Sequence, residues 1–339
     1  MGSRIWAGWL IILLFLAGCV AAPAAISPTA ISPELAATAV PPTAISELPT
    51  LAPTLVLKTL PATQTAVPTP TLAPTATPVL SVATPLPEPT ATFAAYGVAQ
   101  TIGFSANGRP LESYRFGFGA QTIVLVGGIH GGYEWNTIVL AYEMIDYFLA
   151  NPDQIPANIS LYIIPSANPD GQFAVTGLDG RFTRDDVAGD TDPGRFNGNQ
   201  VDLNRNFACD WQPEGLWGET VVSGGSVPFS EPETAALRTF FLREQPTLVL
   251  FWHSKADGIF IGGCDGLFQP SAEIAELYGR ASGYSVSDQF TAYPITGDAS
   301  DWLATQNIPS FTVELKTRDL TDWSENIAGV LAMLDYYGR

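Results

Sequence analysis

Thr122-Ile123-Val124-Leu125-Val126-Gly127-Gly128 is a short, unbroken apolar run closed by two glycines. A strand with one wet face alternates polar and apolar residues, whereas a strand covered on both faces does not. The run therefore predicts a strand inside a sheet sandwiched between helices. Leu161-Tyr162-Ile163-Ile164, Leu248-Val249-Leu250-Phe251 and Phe311-Thr312-Val313 repeat the pattern. Helical periods lie between them. Ile138, Tyr142, Ile145 and Phe148 share one face, and Ile327, Val330, Leu334 and Tyr337 line a last helix. Ser230 with Glu233 reads as a capping box, with Pro232 in the first turn of a helix running to about Arg243. Strands alternating with helices predict an α/β fold: a mixed, largely parallel twisted sheet with helices on both faces.

Outward from this core, the 339 residues divide into three parts. Residues 1–19 read as an export signal. Arg4 supplies the positive end, Ile5 to Leu16 the apolar stretch, and Leu16-Ala17-Gly18-Cys19 resembles a bacterial lipobox. The expectation is a lipid on Cys19 and anchorage at the outer face of a bacterial membrane. Residues 20–95 hold 15 of the 28 prolines and only four charged side chains (Glu34, Glu47, Lys58, Glu88). Proline fixes φ and removes the amide donor, so this stretch predicts an extended tether. Residues 96–339 read as one globular unit, expected to be monomeric. They carry 30 acids and 13 bases, for −17 of the chain's net −18. That balance excludes nucleic acid as a partner, because phosphate binding needs concentrated Lys and Arg.

Informative residues cluster at the carboxyl ends of the predicted strands, where ligands gather in such sheets. The chain has only two histidines, and both follow strands: His130 after the 122–128 run and His253 after Trp252. Glu134 follows the first closely. Two imidazoles and a carboxylate bind Zn²⁺ with one position open for water, which is the arrangement of a catalytic site. Glu314, flanked by Val313 and Leu315, is placed to act as a base in apolar surroundings. Asn204 and Arg205 stand side by side in Val201-Asp202-Leu203-Asn204-Arg205-Asn206-Phe207, and an arginine fork suits a carboxylate.

Taken in order, these segments resemble the zinc carboxypeptidase family (the M14 metallopeptidases). The resemblance runs through Gly128-Ile129-His130-Gly131-Gly132-Tyr133-Glu134-Trp135, Asn168-Pro169-Asp170-Gly171, and Asp202 to Phe207. It continues through Pro228 to Thr234, His253-Ser254, Tyr293 through Gly297 to Asp301-Trp302, and Phe311 to Leu315. It implies that His130, Glu134 and His253 bind one Zn²⁺ and that Glu314 is the general base. It implies that Asn204 and Arg205 hold the terminal carboxylate of a peptide substrate, with Tyr293 closing over it. Ser300 would line the specificity pocket. Asp202 would orient His130, and Arg195 would stabilise the oxyanion, with Arg184 the competing candidate. Cys209 and Cys264 are expected to form a disulfide.

Two departures stand out. The family has two residues between the first His and the Glu; this chain has three, Gly131, Gly132 and Tyr133. Two glycines can carry a one-residue bulge, but the insertion removes the Arg often found before that Glu. Lys255 follows His253-Ser254 where many members have Tyr. The expected activity is zinc-dependent hydrolysis of a C-terminal peptide bond, in environmental or peptidoglycan stem peptides. Deacylation of N-acyl amino acids on the same scaffold, or a non-catalytic binding module, are the alternatives.

Overall fold

A computed structural model describes residues 96–339. The export signal, the tether and Cys19 lie outside the described residues. In chain order the elements are β1 (Ala99–Phe104), β2 (Pro110–Phe116), β3 (Gln121–Val126), α1 (Trp135–Ala150), β4 (Ile159–Ile164) and α2 (Pro169–Thr176). The hairpin β5 (Glu214–Trp217) and β6 (Thr220–Ser223) follows, then α3 (Pro232–Glu244), β7 (Leu248–Ser254) and β8 (Gly258–Ile261). The chain ends with α4 (Gln269–Ser282), β9 (Val286–Ser287), α5 (Ala299–Thr305), β10 (Ser310–Leu315) and α6 (Trp323–Gly338).

Eight strands form one sheet in the order β1-β2-β4-β3-β7-β10-β8-β9. The central pairs β4–β3, β3–β7 and β7–β10 are parallel, and antiparallel strands flank them. Burial explains why the central strands carry no polar alternation. In β3, Ile123 and Leu125 pack with α1, α4 and α6 on one face, while Val124 and Val126 pack with α3 and α5 on the other. Successive side chains point to opposite faces, so both sets must be apolar. The predicted architecture of helices on both faces is the observed one.

Two local expectations are corrected. His253 does not follow its strand but lies within it, since β7 runs on to Ser254. The capping box at Ser230 does not form, because α3 is capped at Glu231 with no side-chain bond. Ser230 Oγ donates instead to Glu231 Oε1, and Glu233 accepts from the Ala106 amide and from Asn197. Long-range partners thus outcompete the local cap.

Candidate metal and substrate site

Three parallel strands aim their carboxyl ends at one place. Four residues beyond β3, His130 opens a short 3₁₀ turn, Gly131–Glu134, that leads directly into α1. The inserted residue is absorbed here. Gly131 has φ +45°, and a Cβ on it would lie 2.6 Å from the Gly194 carbonyl oxygen. Only glycine fits both demands. The turn swings Glu134 back so that its Oε1 is 2.9 Å from His130 Nδ1 and its Oε2 3.1 Å from His253 Nδ1. The two Nδ1 atoms are 3.2 Å apart.

All three side chains are buried, at 3–5% exposure. Glu134 Oε2 has no hydrogen-bond partner. Burial pushes the Glu134 carboxyl up, but the imidazoles of His130 and His253 outweigh it and hold the group well below its ordinary value. Two imidazole nitrogens and an orphaned, ionised carboxylate oxygen converging on one point fit a divalent zinc ion by donor type and number.

Asp202 faces the other ring nitrogen of His130, with Oδ1 3.4 Å from Nε2. That is longer than an ordinary hydrogen bond, so Asp202 guides the ring without gripping it. Its other oxygen accepts from Arg195 Nε at 2.9 Å. Burial opposes the Asp202 charge, but Arg195, then His130 and Arg205, keep the carboxyl well below its usual range.

Beside the triad opens a cavity of about 600 Å³ lined by Arg195, Asn204, Arg205, Tyr293, Ser300, Asp301 and Glu314, among others. Glu314 Oε2 accepts from the Ala256 amide at 3.0 Å. Burial, then the negative Glu134, pushes its carboxyl up to about 7. Arg205 gives Nε and Nη2 to the Leu216 carbonyl and Nη1 to the Asn204 carbonyl. The fork is thereby fixed, with N–H groups to spare. Asn204 Nδ2 donates to Asp298 at 2.7 Å, and its Oδ1 accepts from the Ala299 amide. One amide hydrogen is left for a ligand. Ser300 Oγ lies 3.3 Å from Thr312 Oγ1 on the same wall.

Of the two competing arginines, Arg195 is 2% exposed and lines the cavity. Arg184 pairs with Asp319 on the surface, 65% exposed, and does not line it. Cys209 and Cys264 are joined as a disulfide that ties the loop after Arg205 to the loop after β8; Cys264 sits in the cavity wall. Lys255 is exposed. Asn168 caps α2 by accepting from the Gly171 amide, and Asp170 is tied to Ser105, Asn107 and Arg109. That motif holds the framework rather than the ligand.

Sequence reasoning missed the acidic wall of the cavity. Asp210, Asp298 and Asp301 all line it. Asp301 accepts from the Gly263 amide through Oδ1, and burial together with Asp298 pushes its carboxyl up to about 7. The signal lies in the Tyr293–Asp301 segment, which carries Asp298 and Asp301 on either side of Ser300.

Residues 98–263 match the family model for zinc carboxypeptidases. That segment belongs to the family. Among curated relatives, carboxypeptidase B of Astacus astacus is 29% identical over 167 residues, covering 47% of this chain and 51% of the relative. Bacteriocin BCN5 of Clostridium perfringens is 34% identical over 159 residues, covering 46% of this chain and 16% of the relative. The matched region thus spans about half of the carboxypeptidase and a small part of the bacteriocin. Among solved structures, bovine thrombin-activatable fibrinolysis inhibitor superposes with a TM-score of 0.57 at 20% identity, covering 70% of this chain and 89% of the other. The murein-tripeptide amidase of Escherichia coli O157 superposes with a TM-score of 0.52 at 22% identity, covering 74% and 97%. These two share the fold.

Proposed function

We propose that this zinc carboxypeptidase family member hydrolyses the C-terminal peptide bond of peptides carrying a free terminal carboxylate, peptidoglycan stem peptides included. The observation that carries the reading is the convergence of His130, Glu134 and His253 beside Glu314, at the mouth of a cavity containing two guanidinium groups. His130, Glu134 and His253 would hold zinc, which would supply a Lewis acid for the scissile carbonyl and lower the pKa of a water. Asn204 and Arg205 bind the terminal carboxylate, with Tyr293 beside it in the cavity wall. Arg195, held by Asp202, faces the oxygen on which charge develops. Glu314 takes the proton of the attacking water and returns it to the departing amine. The paired presence of Asn204–Arg205 and Glu314 favours peptides over small N-acyl amino acids and over a purely binding role.

A peptide-library digest read by mass spectrometry, with stem peptides containing D-residues and with a chelator control, tests this. Chelator-sensitive loss of single C-terminal residues is expected. Turnover of N-acyl amino acids without any peptide cleavage would sink the reading, as would a folded protein holding only a small fraction of one zinc equivalent.

Export and lipid anchorage through Cys19 belong to the same proposal, and the Leu16-Ala17-Gly18-Cys19 pattern supports them.

A further inference from the structure

The inserted residue of the Gly131–Glu134 turn does more than lengthen a loop. Tyr133 is buried next to the candidate metal ligand Glu134, and its ring stands edge-on to Trp217 of the β5–β6 hairpin at 4.9 Å. Two guanidinium groups share that ring. Arg195 Cζ lies 5.5 Å from its centroid, and Arg318 Cζ, from the segment between β10 and α6, lies 3.8 Å from it. Arg318 Nη2 also donates to the Tyr133 hydroxyl.

Arg195 is paired with Asp202, but Arg318 has no such partner. Arg318 Nε is buried without an acceptor, and no carboxylate pairs with Arg318 among the described residues. That is unusual in a domain where acids outnumber bases by more than two to one. Arg195 Nη2 lies 2.8 Å from Asp202 Oδ2 but lacks an aligned acceptor. A planar fork with open donors, fixed by stacking on an aromatic face, is pre-organised for a carboxylate.

Its side of the site follows from the cavity. The lining that holds Asn204, Arg205 and Ser300 takes the leaving residue; Tyr133, Trp217 and Arg318 are not part of it. Arg195 belongs to both groups and marks the boundary. We propose that Arg318, laid on Tyr133 beside Arg195, forms an anion subsite that selects substrates bearing a carboxylate on the acyl side of the scissile bond. The carboxylate comes either from an acidic side chain or from the free α-carboxylate of a γ-linked glutamyl residue. The inference rests on the peptide-hydrolysis reading above.

The test uses the zinc-loaded full chain with Arg318→Ala and Arg318→Lys. Peptide pairs differ only in Glu against Gln before the scissile bond, with γ-linked glutamyl counterparts with and without the free α-carboxylate. The wild type is expected to show a KM about tenfold or more lower for a carboxylate-bearing member. Arg318→Ala should erase that difference by raising KM for that member alone, with kcat changed less than about twofold; Arg318→Lys should restore part of it. Whichever arm shows the preference identifies the source of the carboxylate. Equal KM values in the wild type for every pair overturn the proposal, as does a fall in kcat on both members alike.

Calorimetric binding of N-acetylglutamate, its amide and the γ-linked analogues is measured in parallel. If no peptide is turned over, the hydrolysis reading fails. The subsite then stands or falls on whether carboxylate-selective binding is present and is lost in Arg318→Ala.

Discussion

Glu314 stands directly across the parallel β7–β10 ladder from His253. Register alone therefore sets a carboxylate beside a candidate metal ligand, on two strands buried in the centre of the sheet. No loop rearrangement is needed to assemble the pair. Rigid elements hold site geometry better than loops do. The cost is electrostatic: burial first, and then the nearby Glu134 carboxylate, drive Glu314 towards neutrality.

Glu314→Gln should keep the fold and the zinc content of the wild type and reduce kcat by about 10²-fold or more. In the wild type, kcat/KM should fall as pH drops through the Glu314 pKa, because only the ionised form accepts a proton. Without metal that value is about 7; a bound cation favours the charged form and moves the acid limb below it. Unchanged turnover in the Gln variant would remove Glu314 from the base role.

The same raised value makes a stability statement for the metal-free protein. The folded-state pKa lies above the ordinary 4.5, so the contribution from Glu314 is present below about pH 4.5 and is lost as pH rises towards 7. The metal-free wild type should lose up to about 3 kcal/mol relative to Glu314→Gln across that window. Denaturant titrations of both proteins at pH 5 and pH 8 check it; parallel curves at both pH values would contradict the assigned burial of the charge.

His253→Ala should abolish stoichiometric zinc binding, because two of three protein donors do not replace the full set. Metal analysis of the purified variant, with circular dichroism to confirm folding, decides the point. Full occupancy in a folded variant would show that the ligand set is wrong.

Much of this arrangement is readable from residue order. The unbroken apolar runs at 122–126 and 248–251 announce two-sided burial because no polar residue can face either layer of helices. The two histidines are conspicuous because the chain has no others. Other features depend on the path of the chain through space. Arg195 and Arg184 are equally plausible by composition, and only the structure puts one against Asp202 and the other against Asp319. The Ser230 cap misleads because its hydroxyl finds Glu231 and Asn206 instead of the helix amides. The stacking of Arg318 on Tyr133 joins residues 185 apart, beyond any periodicity argument.

Asp301 carries a prediction about the leaving residue. Asp210, Asp298 and Asp301 line the cavity against Arg205 and Arg195. A cationic side chain on the departing residue offsets the burial and the Asp298 repulsion that push the Asp301 pKa up. Peptides ending in Lys or Arg should be preferred over those ending in Leu, and Asp301→Asn should reduce kcat/KM for the basic peptides by about tenfold while sparing Leu. An equal loss on both would mean that Asp301 only supports the loop through Gly263.

The Cys209–Cys264 disulfide closes a loop of 55 residues in sequence and fastens one side of the cavity. Chain-entropy arguments assign such a crosslink about 4 kcal/mol at most, acting mainly through the unfolded state. The double Cys→Ser variant should therefore melt lower in the absence of reductant, and reductant should bring the wild type down towards it. The effect on function should be separable from stability. The bridge links the segment carrying Asn204 and Arg205 to the loop bearing Gly263, which holds Asp301. Loosening it should raise KM more than it lowers kcat at a temperature where both proteins are folded. A matched KM with a lowered melting temperature would confine the bridge to stability; a matched melting temperature under oxidising conditions would show that the two sulfurs are not joined.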